Sequence, residues 1–345
     1  MFPLDYPLPI LAEAQELDWV LDPFCGRGTT LFAARMNGLR AVGIDTSAVA
    51  VAISNAKLVE ATPEQVVRLA SELSHTETND VPEGEFWSHC YARSTLEELA
   101  SIRAGLLRHE DTPAAVTLRA LMLGVLHGPL RRGAPSFLSN QMPRTYASKP
   151  ASAIKYWVER GLEPPPVSVL DVIERRANYT LADQPPGVDG AVVQGDARQV
   201  LPSLEQRFDW VITSPPYLGM RTYLPDQWLR NWFIGGPDRV EYEDPDAIRT
   251  ADPDSFADQL GEVFQKVAAC CRPGARLHVR FGALPSCPID PRTLLKESLR
   301  RADTGWEIRA IVPAGMPKRG MRQADQMGAT STAVEEVDCE ARLDI

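Results

Sequence analysis

The sequence predicts an α/β fold: an open sheet flanked by helices, with a large, mainly helical insert between the second and third strands. Three observations predict it. An apolar run at 19–21 leads into Asp22, a turn with two glycines, Gly26 and Gly28, and then a helical stretch. A second apolar run, 40–44, ends in another acid, Asp45, and completes a strand–helix–strand unit. Strand-like runs then cease until 191–194, and the chain from about 61 to 185 shows helical periodicity broken by proline and glycine.

Taken in order, residues 1–17 are a short lead-in containing Tyr6, Pro7, Leu8 and Pro9. The loop glycines let the backbone approach a ligand closely. The helix that follows, 29–37, offers unpaired amides at its start, and Gly38 stops it. After the second strand a helix at 47–58 takes Ser47 as its cap. Helical patterns continue at 63–73, 96–107, 112–126, 149–160 and 167–181, with breaks at Gly128-Pro129, Gly133 to Pro135 and Pro164-Pro165-Pro166. The sheet resumes with a third strand, 191–194, followed by Gly195 and Asp196, and a fourth at 209–213. A helix at 254–271, a turn at Arg272, Pro273 and Gly274, and a fifth strand at 276–281 come next. A helix at 291–301 precedes strands at 306–312 and 333–343 that close the sheet as a hairpin-like edge. The division is therefore 1–60 and 186–345 for the two parts of the sheet domain and 61–185 for the insert. No internal repeat is present.

At 345 residues, 44% of them hydrophobic, the chain can form one large cored domain or two smaller ones. No apolar run is long enough to span a membrane, and the N-terminus lacks a basic lead and an apolar signal core. A cytoplasmic protein without membrane contact is expected. The six cysteines include no Cys-x-x-Cys pair, so neither a zinc ribbon nor a thioredoxin motif is supported, no metal is expected, and a reduced compartment fits. The net charge of −10 opposes phosphate binding in general, but the charge is uneven. Between 112 and 160 seven basic residues (Arg119, Arg131, Arg132, Arg144, Lys149, Lys155 and Arg160) stand against one acid, Glu159. Phe137, Tyr146, Tyr156 and Trp157 are interleaved with them. This is the composition of a surface that grips a nucleic-acid backbone and stacks on bases; the plainer alternative is a basic helical face. Arg131, Arg132, Arg144 and Lys149 are the candidate contacts. A smaller basic group, Lys318, Arg319 and Arg322, lies near the C-terminus.

The most informative residues are Thr213, Ser214, Pro215, Pro216 and Tyr217. They follow the apolar run 208–212, so they stand at the C-terminal lip of a buried strand, where open α/β sheets bind ligands. The prolines have fixed φ and no N–H, which leaves nearby carbonyls and the Ser214 hydroxyl to accept from something else. Tyr217 adds a flat ring. The set suits a planar base with an exocyclic amine: the acceptors hold the amine protons, its lone pair turns toward an electrophile, and the ring stacks. The alternative is a tight turn after an edge strand. Beyond Tyr217 lies an aromatic-rich stretch, either a lid over the base or a helix at 226–233 that packs Trp228 and Trp232 into a core. Arg221 is the candidate phosphate contact there. Cys25 reads as a small packing residue rather than a nucleophile, and Asp45 is placed to accept from ribose hydroxyls.

As a nicotinamide fingerprint the glycine loop lacks its third glycine. The set Asp22-Pro23-Phe24-Cys25-Gly26-Arg27-Gly28-Thr29-Thr30, Gly43-Ile44-Asp45 and Ile212-Thr213-Ser214-Pro215-Pro216-Tyr217 instead resembles the S-adenosylmethionine-dependent amino methyltransferases of DNA, which methylate N4 of cytosine or N6 of adenine. The resemblance covers residues 1 to about 60 and about 190 to 285, with no matching motif between. It implies a Rossmann-like methyltransferase sheet and S-adenosylmethionine as cofactor. The implied cofactor residues are Asp22, Pro23, Phe24, Gly26, Gly28, Thr29 and Asp45, with Asp196 at the adenine amine. The lead-in looks like an abbreviated cofactor-contacting segment. Ser214, Pro215, Pro216 and Tyr217 become the catalytic corner, acting on duplex DNA with the target base flipped out, and the helical insert becomes the target-recognition region. A cognate restriction or defence system is the implied partner. Serine before Pro-Pro-Tyr resembles the cytosine-N4 group; Asp or Asn is commoner in adenine-N6 enzymes, which stay as the alternative. RNA amino methyltransferases usually carry Asp or Asn there and a separate RNA-binding domain. A small-molecule methyltransferase needs neither the corner nor a basic insert. A non-enzymatic module would be expected to lose Ser214, Tyr217 or the glycines.

Overall fold

The computed structural model describes residues 2–129, 133–142, 149–219, 227–240, 252–284, 287, 289–315 and 336–344. Seven strands run β1 Trp19–Asp22, β2 Arg40–Asp45, β3 Gly190–Gln194, β4 Phe208–Thr213, β5 Cys271–Phe281, β6 Trp306–Gly315 and β7 Glu336–Leu343. They form one sheet in the order β3-β2-β1-β4-β5-β7-β6. Strands β1 to β5 are parallel, and β7 runs antiparallel between β5 and β6. The fold is thus α/β and Rossmann-like. The first strands are apolar because both faces are covered, as a parallel sheet requires. On one face Leu21, Val42, Val211, Leu277 and Phe281 pack with Phe256, Leu260 and Phe264 of the helix Pro253–Cys270. On the other Val20, Ala41, Trp210 and Ile212 pack with Leu31 and Ala34 and with Phe2, Tyr6 and Leu11 of the lead-in.

Strand order reverses at β1, with β2 and β3 on one side and β4 and β5 on the other. Ligands bind outside the carboxyl ends of the strands at such a switch point, so the ends of β1 and β4 set the location of the site. Antiparallel β7 starts at that same edge: Val337 pairs with Phe281, the last residue of β5.

The chain divides into two units: Met1–Leu58, Val188–Thr222 and Asp246–Ile345 in the first, and Val59–Gly187 with Tyr223–Pro245 in the second. The second unit holds the helices Pro63–Leu73, Glu85–Cys90, Arg93–Arg108, Pro113–Val125, Pro150–Val158, Val169–Leu181 and Trp228–Phe233. Its core is aromatic: Phe86, Trp87, Trp157, Trp228 and Trp232 lie in mutual ring contact. Trp228 and Trp232 are buried, which decides between the two readings of that helix in favour of core packing; residues 220–226 lie outside the described set. Trp157 is buried too and donates from Nε1 to the Gln141 carbonyl at 2.6 Å. It is a core residue, not a stacking platform.

One further expectation changes, and one helix is added. The turn expected at Arg272 to Gly274 lies inside β5 as a bulge, with a register shift opposite Phe208 and Trp210 and Gly274 at φ +81. The short helix Glu85–Cys90 carries no periodic signal of its own; it exists because Phe86, Trp87 and Cys90 are buried by the unit around it. The 333–335 part of the last expected strand falls outside the described residues. Among the described residues no helix is long and apolar enough to cross a membrane.

Candidate active site

The site is organised by a buried carboxylate. Asp22 ends β1 and is only 2% exposed. Its Oδ1 accepts from the Phe24 amide at 3.1 Å and from Thr213 Oγ1 at 2.7 Å. Its Oδ2 accepts from Thr30 Oγ1 at 2.7 Å, and Thr30 Oγ1 also lies 3.1 Å from the Ile212 carbonyl. One side chain therefore joins β1, the glycine loop, the first turn of the helix Thr29–Met36 and the end of β4. Burial pushes the Asp22 carboxyl up to about 6, against the lowering effect of the Thr30, Thr213 and Phe24 bonds. The hub accommodates the protonated form as well. A proton on Oδ2 can be donated to Thr30 Oγ1, whose own proton then goes to the Ile212 carbonyl. The sequence assigns Asp22 to the cofactor; in the structure its carboxylate accepts from the protein's own Phe24, Thr30 and Thr213 and so positions the loop.

The loop lies on β2. Gly28 takes φ +74, and a Cβ there would come within 3.0 Å of Ser54 Oγ. Gly43 is needed for close approach: a Cβ would fall 2.9 Å from Leu31 Cδ1 and 3.0 Å from Cys25 Sγ. Cys25 is buried, and burial pushes its thiol well above the ordinary range, which fits packing and not nucleophilic attack. Ser54, which the sequence does not single out, donates to the Gly26 carbonyl at 2.7 Å and so fixes the loop from the following helix. Asp45 closes β2. It accepts from the Gly26 amide at 2.9 Å and the Ser47 amide at 2.8 Å. A Cβ on Gly26 would meet nothing within 4 Å, so the bare loop borders open space beside this acid. Open backbone next to an acid at the end of β2 fits a ribose-bearing cofactor. Pro23 and Gly28 are buried, and Phe24, Gly26 and Thr29 are half-buried, along the same loop.

Asp196, expected at the adenine amine, is engaged by a neighbour in the chain. Arg198 holds its carboxylate through the backbone amide to Oδ1 at 2.8 Å, through Nε to both oxygens at 3.0 Å, and through a short bond from an Nη to Oδ2. Burial alone would raise this carboxyl, but the Arg198 bonds and charge outweigh it and hold it below the usual range. Three N–H groups of Arg198 thus converge on this carboxylate, the Nε–H being shared between its two oxygens.

At the corner Thr213 is buried on Asp22, Pro215 is buried, and Ser214, Pro216 and Tyr217 are half-buried. The Tyr217 hydroxyl donates to Glu336 Oε1 at 2.8 Å, and its ring stands edge-on to Phe281 at 5.8 Å. Glu336 is another residue the sequence does not flag, because it lies 119 residues away in the chain. Loop and corner are brought together by Asp22 and Thr30.

Of the candidate DNA contacts, Arg131, Arg132, Arg144 and Arg221 lie outside the described residues. Lys149 is exposed just before the helix Pro150–Val158. Within the basic stretch Arg119 pairs with Asp111 at 2.8 Å, and Lys155 and Arg160 lie 3.7 and 3.8 Å from Glu159. The Phe137 ring packs on the bare backbone of Gly128, where a Cβ would sit 2.5 Å from it. Among the described residues no cluster of three or more His, Cys, Asp or Glu is placed to hold a metal ion.

The hub makes a prediction. A carboxyl whose folded pKa is raised from 3.8 to about 6 contributes stability that is present below about pH 4 and is lost as pH rises through 6. Wild type should therefore lose about 2 kcal/mol relative to Asp22→Asn between pH 4 and pH 7. Asp22→Ala leaves the Phe24 amide and the Thr213 hydroxyl without this buried partner, while Thr30 keeps the Ile212 carbonyl, and should be less stable than Asp22→Asn by about 3 kcal/mol at either pH. Urea unfolding at pH 4.5, 6 and 7.5 checks both. A stability difference between wild type and Asp22→Asn that does not change with pH contradicts the hub.

Comparisons with known proteins agree with this geometry in its first segment. A family model described as DNA methylase, of the N6/N4 methyltransferase type, matches residues 8–56, which contain the whole loop and Asp45. No curated protein matches. Among solved structures, TehB from Haemophilus influenzae is 7% identical, with 98% of this chain and 61% of that one covered and a TM-score of 0.39. The rRNA methyltransferase aviRa from Streptomyces viridochromogenes is 12% identical, covering 99% and 85% at 0.37. Magnesium protoporphyrin IX methyltransferase from Synechocystis PCC 6803, solved with bound SAM, is 10% identical, covering 99% and 78% at 0.38. The chain thus spans about three fifths of the TehB structure's length, and likenesses this remote carry no argument about substrate. The family match over the cofactor loop supports an S-adenosylmethionine-dependent methyltransferase.

Proposed function

We propose that the chain transfers a methyl group from S-adenosylmethionine to the exocyclic amine of a base flipped out of duplex DNA, N4 of cytosine first and N6 of adenine as the alternative. One observation carries the reading: Asp22 ties the glycine loop to the end of β4, so a loop suited to the methyl donor and a corner suited to the amine share one lip of the sheet. The methylase-family match over residues 8–56 supports the donor, and Ser214 ahead of Pro215-Pro216-Tyr217 favours cytosine N4.

When bound, S-adenosylmethionine supplies an electrophilic methyl on a sulfonium. The chain does the rest. Asp45 accepts from the ribose hydroxyls beside the open backbone at Gly26. Ser214 Oγ and the Pro215 carbonyl accept hydrogen bonds from the two amine N–H groups, which leaves the lone pair directed at the donor; as the nitrogen gains the methyl group, one of its protons is lost to water. Tyr217 stacks on the base, returning roughly 1–3 kcal/mol against the few kcal/mol needed to extrude it. Positioning two bound reactants lowers most of the barrier. The basic stretch of the insert grips phosphate and supplies target recognition, and a cognate restriction or defence nuclease is the partner that such a modification would serve.

Tritium transfer from labelled cofactor to unmethylated phage DNA, with RNA as the control, tests the reaction; label in RNA alone would overturn the DNA reading. Asp45→Ala should weaken cofactor binding by calorimetry by roughly 1.5–3 kcal/mol; an unchanged affinity removes Asp45 from the site. Tyr217→Ala should leave cofactor affinity near wild type and cut methyl transfer at least about tenfold, with the fold checked by thermal unfolding. Full turnover by this variant would make the corner structural. Replacing Arg131 and Arg132 together by alanine should weaken DNA binding and flatten its salt dependence by about one unit per lost phosphate contact, with cofactor affinity unmoved. An unaltered slope would transfer recognition to the stretches around Arg221 and Lys318.

A further inference from the structure

We propose that Glu336 is a positioning residue of this site, and that its carboxylate fixes the Tyr217 ring on which the target base stacks. The proposal rests on the methyl-transfer reading above. Three observations converge on the ring. Its hydroxyl donates to Glu336 Oε1 at 2.8 Å. Its edge meets Phe281 at 5.8 Å and 87°, and Phe281 is itself stacked on Phe256 at 6.1 Å. Gly282 lies against both partners: a Cβ there would fall 2.9 Å from Glu336 Cγ and 3.1 Å from Tyr217 Cζ. Only a residue without a side chain, directly after β5, lets the carboxylate and the phenol meet.

The topology delivers the contact. Parallel strands end at the ligand-binding lip, whereas antiparallel β7 begins there, so its first residue, Glu336, arrives beside the end of β5 from the far side of the sheet order. A phenol donating to a carboxylate is a charge-assisted bond. It orients the ring before a base arrives, so that the ordering is not left to the binding step. This accounts for tyrosine at 217 where phenylalanine would stack as well. The role differs from that of Ser214 and the Pro215 carbonyl, because Glu336 acts only through Tyr217.

The test is a double-mutant cycle on methyl transfer to unmethylated phage DNA, read together with the ring signals of 13C-tyrosine-labelled protein, Tyr217 being identified by its loss in Tyr217→Phe. Glu336→Ala and Tyr217→Phe should each lower kcat by about tenfold, and the double variant should fall no further than either single. Glu336→Gln, which keeps an acceptor oxygen, should stay within about threefold of wild type. Cofactor affinity by calorimetry should be the same in all four, and Glu336→Ala should shift or broaden the Tyr217 signal. Full turnover with an unmoved signal, or losses that multiply in the double variant, overturns the proposal. If wild type transfers no methyl group but Glu336→Ala still moves the ring signal, the reaction reading fails and the tether is supported on its own.

Discussion

A carboxylate held inside the protein at the end of β1 is the constraint on which the site depends. Asp22 is almost completely buried and accepts from three donors on three different segments. Burying an acid is costly, and its raised pKa shows that the three bonds do not fully offset the cost. What the cost achieves is registration. The turn at Phe24, the helix start at Thr30 and the end of β4 at Thr213 are set relative to one point, and a loop and a corner from distant parts of the chain become one lip.

The rest of the site follows from where the sheet reverses. Strand order turns at β1, so the carboxyl ends of β1 and β4 mark the place where sheets of this kind bind ligands. Asp45 lines it from β2, locked by Gly26 and Ser47 amides. Ser54 and Gly28 hold the loop down on the helix behind it. On the other side β5 and the reversed β7 bring Phe281, Gly282 and Glu336 around Tyr217. The surroundings of the corner are therefore mostly backbone and packing, with few ionisable groups, as suits the proposed reaction, which needs alignment more than proton transfer.

What the sequence made legible was local. The strand–loop–helix–strand unit, the acid at Asp45, the Ser47 cap and the corner after β4 each lie within a few residues of their own signal, and each stands where expected. What it hid was long-range. Asp22 and Thr213 are 191 residues apart, Tyr217 and Glu336 are 119 apart, and nothing in either spacing announces a contact. Asp196 was assigned by its place after β3; Arg198, which holds its carboxylate, stands two residues further on. The turn read at Arg272 to Gly274 is a bulge within a strand because neighbouring β4 continues the pairing on both sides of it. The tryptophans of 226–233 looked equally suited to a lid or a core, and the aromatic cluster of the second unit settles them as core.

The product base tests the central claim most directly. Unmethylated phage DNA incubated with the protein and S-adenosylmethionine, digested to nucleosides and resolved by mass spectrometry, should contain N4-methylcytosine. N6-methyladenine would keep the exocyclic-amine chemistry and change only the base. Methyl carbon on C5 of cytosine, or DNA without any methylated base under conditions where the protein binds its cofactor, would contradict the account.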